Sequence, residues 1–212
     1  VTDLTPEACF IFARAFCTAL ALRPGTRLVI GHDLRPSSPA ITQACIAAGE
    51  DAGLTIVYVG ALATPAIAFY AAQLVAPAIV VTGSHIPFDR NGMKFYSPEG
   101  EITKQHEQAI LACQVSVPAR LTMRPLPAVC EQASQAYVSR YLDFFTPGCL
   151  SGWRIAVYQH SSVARDMLPQ LFEQLGATVI ELGRSSEFVP IDTEAVRQQD
   201  IDQAAQWARQ YS

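Results

Sequence analysis

The stretch of this sequence best equipped for chemistry runs from residue 82 to residue 96 and reads TGSHIPFDRNGMKFY. It places Ser84 and His85 side by side directly after an apolar run, and Lys94 follows shortly after an Asn-Gly pair. Asn-Gly favours positive φ and a tight chain reversal, so this turn can bring Lys94 back towards Ser84. A hydroxyl, an imidazole and an ammonium in one short loop suit phosphate chemistry.

A second polar loop lies earlier in the chain, after the short apolar run LVI. It reads GHDLRPSSP over residues 31–39, and its candidate site residues are Asp33, Arg35, Ser37 and Ser38. Ligands of open α/β sheets bind outside the carboxyl ends of the strands. We therefore expect this loop to share one rim of a sheet with the later stretch, whose own polar side chains include Arg90 and Asn91.

Each of these residues also has a purely structural interpretation. Arg35 beside Asp33 can form a local salt bridge, and a lone loop histidine such as His85 is more often hydrogen-bonded than catalytic. Lys94 can be a solvated strand residue. The combination of serine, histidine, Asn-Gly and lysine favours the chemical interpretation, while the structural one stays open for each residue taken singly.

Two familiar arrangements are missing from the sequence. The nucleophile elbow of α/β-hydrolases requires G-x-S-x-G, whereas Ser84 lies in T-G-S-H-I, so a hydrolase is a weaker alternative. No G-x-x-x-x-G-K-[ST] occurs, which excludes a P-loop. The remaining chemical option is a serine that itself carries a phosphoryl group.

Composition excludes several classes of protein. The net charge is -4, so there is no basic face for nucleic acid. No run of 18 apolar residues occurs, and the first ten residues lack the regions of a signal peptide, so we expect no membrane association. The six cysteines form no C-x-x-C or zinc-finger spacing. We expect reduced thiols, several of them in the core, and a cytoplasmic protein.

Helical and strand patterns alternate along the chain, and the strand patterns are apolar throughout. This is typical of a sheet covered by helices on both faces. We predict an α/β fold, a three-layer α/β/α arrangement with a mixed, largely parallel sheet, over residues 1–125. A proline-rich connection then leads to a second, incomplete α/β domain over residues 126–212.

The loop sequence resembles the phosphoserine loop of the α-D-phosphohexomutases, T-[AG]-S-H-N-P-x-x-x-N-G-x-K, departing from it at Ile86. Two other stretches agree in order and spacing. VIGHDLRPSSP is similar to the family's G-x-D-x-R-x-S, and DAGLTIVYVGALATPAIAF is similar to its G-x-x-V-x-x-x-G-x-x-x-T-P. The resemblance is good over roughly residues 2–112 and extends beyond about residue 150 only as a pattern.

This resemblance implies a mutase that interconverts hexose 1-phosphate and hexose 6-phosphate through a hexose bisphosphate. Ser84 would be the phosphorylated serine, with His85 and Lys94 lining the phosphate site and assisting proton transfer. The supporting residues would be Asp33, Arg35, Arg90, Asn91 and Gly92. The family's cofactor is Mg²⁺, which Ser84 would bind through its phosphate.

Parts of the family pattern are missing from these 212 residues, notably the metal loop D-G-D-x-D-R and the N-terminal T-S-G-x-R-G. We therefore expect a fragment that does not turn over substrate alone. The sequence does not select the hexose, although Gly83 before Ser84 favours the phosphomannomutase/phosphoglucomutase group over glucosamine mutases, which usually have alanine there. The alternative to an enzyme is a non-catalytic α/β module that binds sugar phosphates or a protein.

Overall fold

Helices and strands alternate in the computed structural model of the chain, which describes residues 4–83, 86–87, 89–119, 121–189, 191 and 196–211. In chain order they are α1 (Pro6–Ala19), β1 (Arg27–His32), α2 (Ser38–Asp51), β2 (Thr55–Ala61), α3 (Thr64–Gln73), β3 (Ala78–Val81), β4 (Met93–Ser97), β5 (Gly100–Glu101), α4 (Lys104–Ala112), α5 (Gln132–Phe144), β6 (Arg154–His160), α6 (Met167–Gln174), β7 (Thr178–Arg184) and α7 (Gln198–Tyr211). None of these helices is both long and apolar enough to cross a bilayer.

The first sheet has five strands in the order β2-β1-β3-β4-β5. Strands β2, β1 and β3 are parallel, and β4 runs antiparallel to β3. Strand β5 pairs with β4 as a hairpin in which Ser97 lies opposite Gly100, as the turn sequence SPEG predicts. The predicted mixed, largely parallel sheet is therefore confirmed.

Two apolar layers cover the faces of this sheet because successive strand residues point to opposite sides. On one face, Phe10 and Phe16 of α1 belong to the same buried cluster as Leu28 and Ile79, together with residues of α2 and α4. On the other face, Val80 packs in a cluster with residues of α3, α5 and α6. All four residues of β3 are buried, which explains why this strand is apolar without interruption.

The proline-rich connection after α4 has no regular secondary structure in the residues described between 113 and 130. It still packs on the first sheet's helices, where Leu121, Met123 and Leu126 contact the cluster around α1 and α2. Its end is fixed by the Cys130 amide, which donates to the carbonyl of Tyr58 at 2.8 Å. The segment therefore packs across the helices of the first sheet. The domain boundary after residue 125 stays a prediction.

A smaller sheet of two parallel strands, β6 and β7, forms the centre of the later part of the chain. We call β6, α6, β7 and α7 the second unit and the five-stranded sheet with its helices the first unit. The sequence SVARDMLPQLFEQLG predicts a helix from Ser162, but this prediction is wrong in its first turn because α6 begins only at Met167. The hydroxyl of Ser162 accepts from the Ala164 amide at 3.1 Å, a local bond that competes with helix formation.

Candidate active site

The candidate site lies where the order of the first sheet reverses. Strand β1 is flanked by β2 on one side and β3 on the other, so the loops after β1 and β3 leave the sheet next to each other. His32 pairs with Val81, and the amide of Asp33 donates to the Val81 carbonyl at 2.9 Å. Open α/β sheets bind ligands at such a switch point, outside the carboxyl ends of the strands. We call residues 82–92 the serine loop.

Asp33 ties the loop after β1 to the start of the serine loop. Its Oδ1 accepts from the amide of Arg35 at 3.0 Å and from the Ser38 hydroxyl at 2.5 Å. Its Oδ2 accepts from the Thr82 hydroxyl at 3.0 Å and from the Gly83 amide at 3.1 Å. The Asp33 carboxylate therefore accepts two hydrogen bonds from each loop and connects the two loops.

Arg35 binds three backbone carbonyls further along the serine loop. Its Nη1 donates to the carbonyls of Pro87 at 2.6 Å and Arg90 at 2.8 Å, and its Nη2 donates to the carbonyl of Ile86 at 2.8 Å. Its Nε lies 3.2 Å from Asp33 Oδ2. Arg35 is only 5% exposed, and a buried guanidinium is stable only when paired and hydrogen-bonded in this way. We call Asp33 and Arg35 the loop clamp.

Gly83 leaves room for this clamp. A Cβ atom built on Gly83 would overlap the Arg35 guanidinium, so any larger residue requires Arg35 to move. The choice between glycine and alanine at this position, which the sequence uses to favour one group of mutases, therefore changes the space available to the clamp.

Asn91 closes the far end of the serine loop and is only 7% exposed. Its Nδ2 donates to the hydroxyls of Ser37 and Ser38, both at 2.9 Å. Its Oδ1 accepts from the amide of Gly92 at 2.8 Å, and the Gly92 carbonyl accepts from the Thr82 amide at 3.0 Å. Ser37 and Ser38, expected at the rim beside a phosphate, thus form hydrogen bonds that support the loop.

The cationic candidates take different positions. Arg90 is exposed, while its carbonyl accepts from Arg35. Lys94 lies in β4 opposite Val80 and is half-buried, and its side chain forms no hydrogen bond or ion pair with any described residue. Ser84 and His85 lie outside the described residues, so the approach of Lys94 to Ser84 stays a prediction.

Sequence reasoning missed two residues at this site. Thr82 donates to Asp33, and its one signal is a hydroxyl at the end of an apolar strand. Phe188 comes from the segment after β7, and its ring centroid lies 5.8 Å from the Cζ atom of Arg35. Nothing in the spacing of the sequence links Phe188 to Arg35, some 150 residues earlier.

We tested whether this region fits the Mg²⁺ that the family resemblance implies. Within the part of the chain that the structure describes, no group of three or more His, Cys, Asp or Glu side chains could hold a metal ion. Both oxygens of Asp33 already accept hydrogen bonds from the two loops. These residues do not by themselves fit a complete Mg²⁺ site, so we assign no chemical step to a metal.

All six cysteines are free, and three lie in the core away from the serine loop: Cys9, Cys17 and Cys45. Burial raises the pKa of the Cys9 and Cys17 thiols to about 11. Burial also raises the pKa of the Cys45 thiol well above its usual value. Such thiols carry little thiolate at neutral pH and act as apolar core residues.

Comparison with known proteins finds relatives of this chain. Residues 1–116 match the model of phosphoglucomutase/phosphomannomutase, alpha/beta/alpha domain I. A phosphomannomutase of Salmonella muenchen is 46% identical over all of this chain and 44% of its own length. A phosphoglucosamine mutase of Symbiobacterium thermophilum is 32% identical over 90% of this chain and 44% of its own length.

The fold has a counterpart among solved structures. A phosphoglucomutase/phosphomannomutase family protein from Burkholderia thailandensis superposes with a TM-score of 0.64 at 26% identity, over 85% of this chain and 40% of that one. The chain therefore belongs to the phosphoglucomutase/phosphomannomutase family. It spans about half the length of the curated relatives that it matches.

Proposed function

We propose that this chain supplies the phosphoserine part of a phosphohexomutase, which interconverts hexose 1-phosphate and hexose 6-phosphate. The observation that carries the proposal is the loop clamp, which brackets the serine loop at the switch point of the sheet in a chain of this family. Phosphoryl transfer depends mainly on positioning and on neutralising charge, and a loop fixed by Asp33 and Arg35 supplies positioning.

The proposed reaction moves a phosphoryl group twice. The bond between phosphorus and Ser84 Oγ breaks as a free hydroxyl of the hexose phosphate forms a new bond to phosphorus, and the hydroxyl proton goes to Ser84 Oγ. The bisphosphate then reorients and returns its other phosphoryl group to Ser84 by the reverse step. The substrates are therefore a hexose phosphate and a hexose bisphosphate, and the serine is regenerated as phosphoserine.

The remaining residues of the loop take defined roles in this proposal. Lys94, with no ion pair to any described residue, supplies a point charge to the phosphoryl group. His85 passes the proton between the sugar hydroxyl and Ser84. Asp33, Arg35, Asn91 and Gly92 act on the loop backbone, because their polar contacts are with the two loops themselves.

A phosphomannomutase or phosphoglucomutase is the preferred member of the family. This preference is supported by the higher identity to a phosphomannomutase than to a phosphoglucosamine mutase, and by glycine at position 83. We further propose that the 212 residues alone do not turn over substrate, since the chain spans 44% of the Salmonella relative. Its free cysteines suit a cytoplasmic enzyme.

The test uses a hybrid mutase in which this chain replaces the matching 44% of the Salmonella muenchen phosphomannomutase. Mutase activity is measured with mannose 1-phosphate and a bisphosphate activator. We expect turnover in the hybrid and its loss in the Ser84→Ala variant, with an unchanged circular dichroism spectrum. Turnover in the alanine variant would refute the phosphoserine role, and an inactive, folded hybrid would favour the non-catalytic binding module.

Lys94 is tested in the same hybrid by single-turnover phosphoryl transfer. Methionine keeps much of the apolar volume of the lysine stem and removes the charge. Loss of one charge-assisted contact in the transition state slows transfer by about 10- to 100-fold. Equal rates in the Lys94→Met variant and the parent hybrid would leave Lys94 a strand residue without a chemical role.

A further inference from the structure

An aromatic side chain from the second unit lies against the loop clamp. Phe188 follows β7, and its ring centroid lies 5.8 Å from the Cζ atom of Arg35. This is within the distance of about 6 Å at which a guanidinium is attracted to the face of an aromatic ring. The contact connects the second unit directly to the residue that holds the serine loop.

The segment that carries Phe188 is itself fixed on the end of the smaller sheet. The amide of Ser185 donates to the carbonyl of His160 at 3.2 Å. Arg165 donates through Nη1 to the carbonyl of Ser185 at 2.8 Å, and the Val189 amide donates to the hydroxyl of Ser161 at 2.8 Å. Bonds on both sides of Phe188 therefore hold it in place from the loop between β6 and α6.

The chemistry of Arg35 explains why an aromatic ring fits this position. Its N–H groups point outward in the plane of the guanidinium and bind Asp33 and the loop carbonyls. The Cζ atom of Arg35 lies over the ring of Phe188, so the negative face of the ring attracts the cation without replacing any of these hydrogen-bond acceptors. Packing by Phe188 therefore stabilises the clamped arrangement without replacing any of its bonds.

We propose that Phe188 is a positioning residue that acts through Arg35 to fix the serine loop, so that the second unit controls the order of the loop in the first. The expected effect of Phe188 on catalysis rests on the proposed function. Its effect on the order of the serine loop does not. Loss of the contact should therefore loosen the loop while the hydrogen bonds from Arg35 and to Asp33 remain.

The experiment measures hydrogen exchange of the 212-residue chain by mass spectrometry. The reporters are the amides of Ile86 and Arg90, which close turns within the serine loop by bonding to Gly83 and Pro87. In Phe188→Ala we expect exchange at these amides to accelerate about 3- to 30-fold, the factor that corresponds to a cation–π contact. Phe188→Tyr keeps an aromatic face and should retain the slow exchange, whereas Phe188→Leu should resemble alanine.

The matched control is Phe144→Ala, because Phe144 is 80% exposed at the end of α5 and should not affect the serine loop. Exchange within β1 provides the internal reference for global stability. Wild-type exchange at Ile86 and Arg90 in Phe188→Ala would overturn the proposal. Equal acceleration in β1, or slow exchange in Phe188→Leu, would also overturn it, since the effect would then be general destabilisation or simple packing.

The hybrid mutase separates this inference from the proposed function. We expect Phe188→Ala to lower kcat at least threefold with an unchanged KM, because loop order is lost and substrate contacts are not. Unchanged kcat in an active hybrid would overturn the catalytic part of the inference. Turnover that survives Ser84→Ala would instead refute the proposed function, and the exchange result would still decide the coupling.

Discussion

The two sheets of this molecule differ in how completely their strands are buried. In the first unit, all four residues of β3 are buried, and helices pack on both faces of the sheet. In the second unit, β7 has a single buried residue, Leu182, among its seven. The first sheet has five strands and the second has two.

This difference in burial indicates that the two units have different structural roles. A two-stranded sheet is marginal alone, so the second unit depends on neighbouring helices for its stability. Met167 and Leu171 of α6 provide that link, because they share an apolar cluster with Tyr137 of α5 and Ile67 of α3. The first unit supplies the frame for the candidate site, and the second contributes the side chain of Phe188 to it.

The largest contrast is expected from the same substitution in the two sheets. Ile79 is fully buried in β3, so Ile79→Ala should cost about 2–5 kcal/mol of unfolding free energy. Ile180 in β7 is half-buried, and Ile180→Ala should cost about 1 kcal/mol. The expected order follows from the smaller cavity and the smaller loss of buried area at Ile180.

Urea unfolding with two probes checks this pair of variants. Both tryptophans, Trp153 and Trp207, lie in the later part of the chain with the second unit, while most helices lie in the first. Ile79→Ala should shift the circular dichroism transition, and Ile180→Ala should shift mainly the fluorescence transition. If circular dichroism and fluorescence gave the same urea midpoint in every variant, the two units would unfold together. That result would contradict the contrast between the two sheets.

A smaller contrast is expected between two arginine ion pairs. Arg35→Lys removes the planar set of donors that binds three loop carbonyls, and it should cost about 1.5–3 kcal/mol because the bonds are buried and charged. Arg184 pairs with Asp166 at 2.6 Å on an exposed surface, where solvent screens the pair. Arg184→Lys should leave the urea midpoint unchanged, and equal effects of the two lysine variants would contradict this account.

The smallest effect is a pH dependence that belongs to the second unit. His160 ends β6 with a φ of 30°, and its buried Nδ1 has no hydrogen-bond partner in the described part of the chain. Burial, with a further contribution from the charge of Arg165, lowers the pKa of His160. As pH falls through the ordinary histidine value of about 6.5, the unfolded chain takes up a proton that the folded chain resists, so stability falls.

The matched variant is His160→Asn, because asparagine tolerates positive φ and does not titrate in this range. Urea midpoints from tryptophan fluorescence are compared at about pH 7.5 and about pH 5.5, on either side of the ordinary histidine pKa. The loss of stability on acidification should be smaller in the variant than in the wild type. Identical losses would assign the pH dependence to other groups.

Much of the first unit could be predicted from the sequence because its strands are apolar runs bounded by turn residues. The same patterns predict the hairpin at Pro98 and Glu99. They also predict that the two polar loops lie at one rim of the sheet. The detailed contacts could not be predicted, since the hydrogen bonds from Arg35 to the carbonyls of Ile86, Pro87 and Arg90 each span more than fifty residues of sequence.

The second unit was harder to predict for a physical reason. Its helix α6 begins late because the Ser162 hydroxyl bonds locally to Ala164. The sequence DQAAQWARQYS predicts a final helix from Asp202, whereas α7 begins four residues earlier at Gln198, in a polar stretch that lacks a strong apolar signal. The approach of Phe188 to Arg35 depends on tertiary packing, which no local pattern encodes.

The central claim is that the serine loop of the first unit carries a phosphoryl group on Ser84. The most direct test is to locate phosphate in the hybrid mutase. Purified hybrid is treated with a hexose bisphosphate, digested and mapped by mass spectrometry, before and after addition of excess hexose phosphate. We predict one phosphoryl group on Ser84 that is lost to the sugar and is missing from Ser84→Ala. A Ser84 that never carries phosphate while the hybrid turns over substrate would contradict the account.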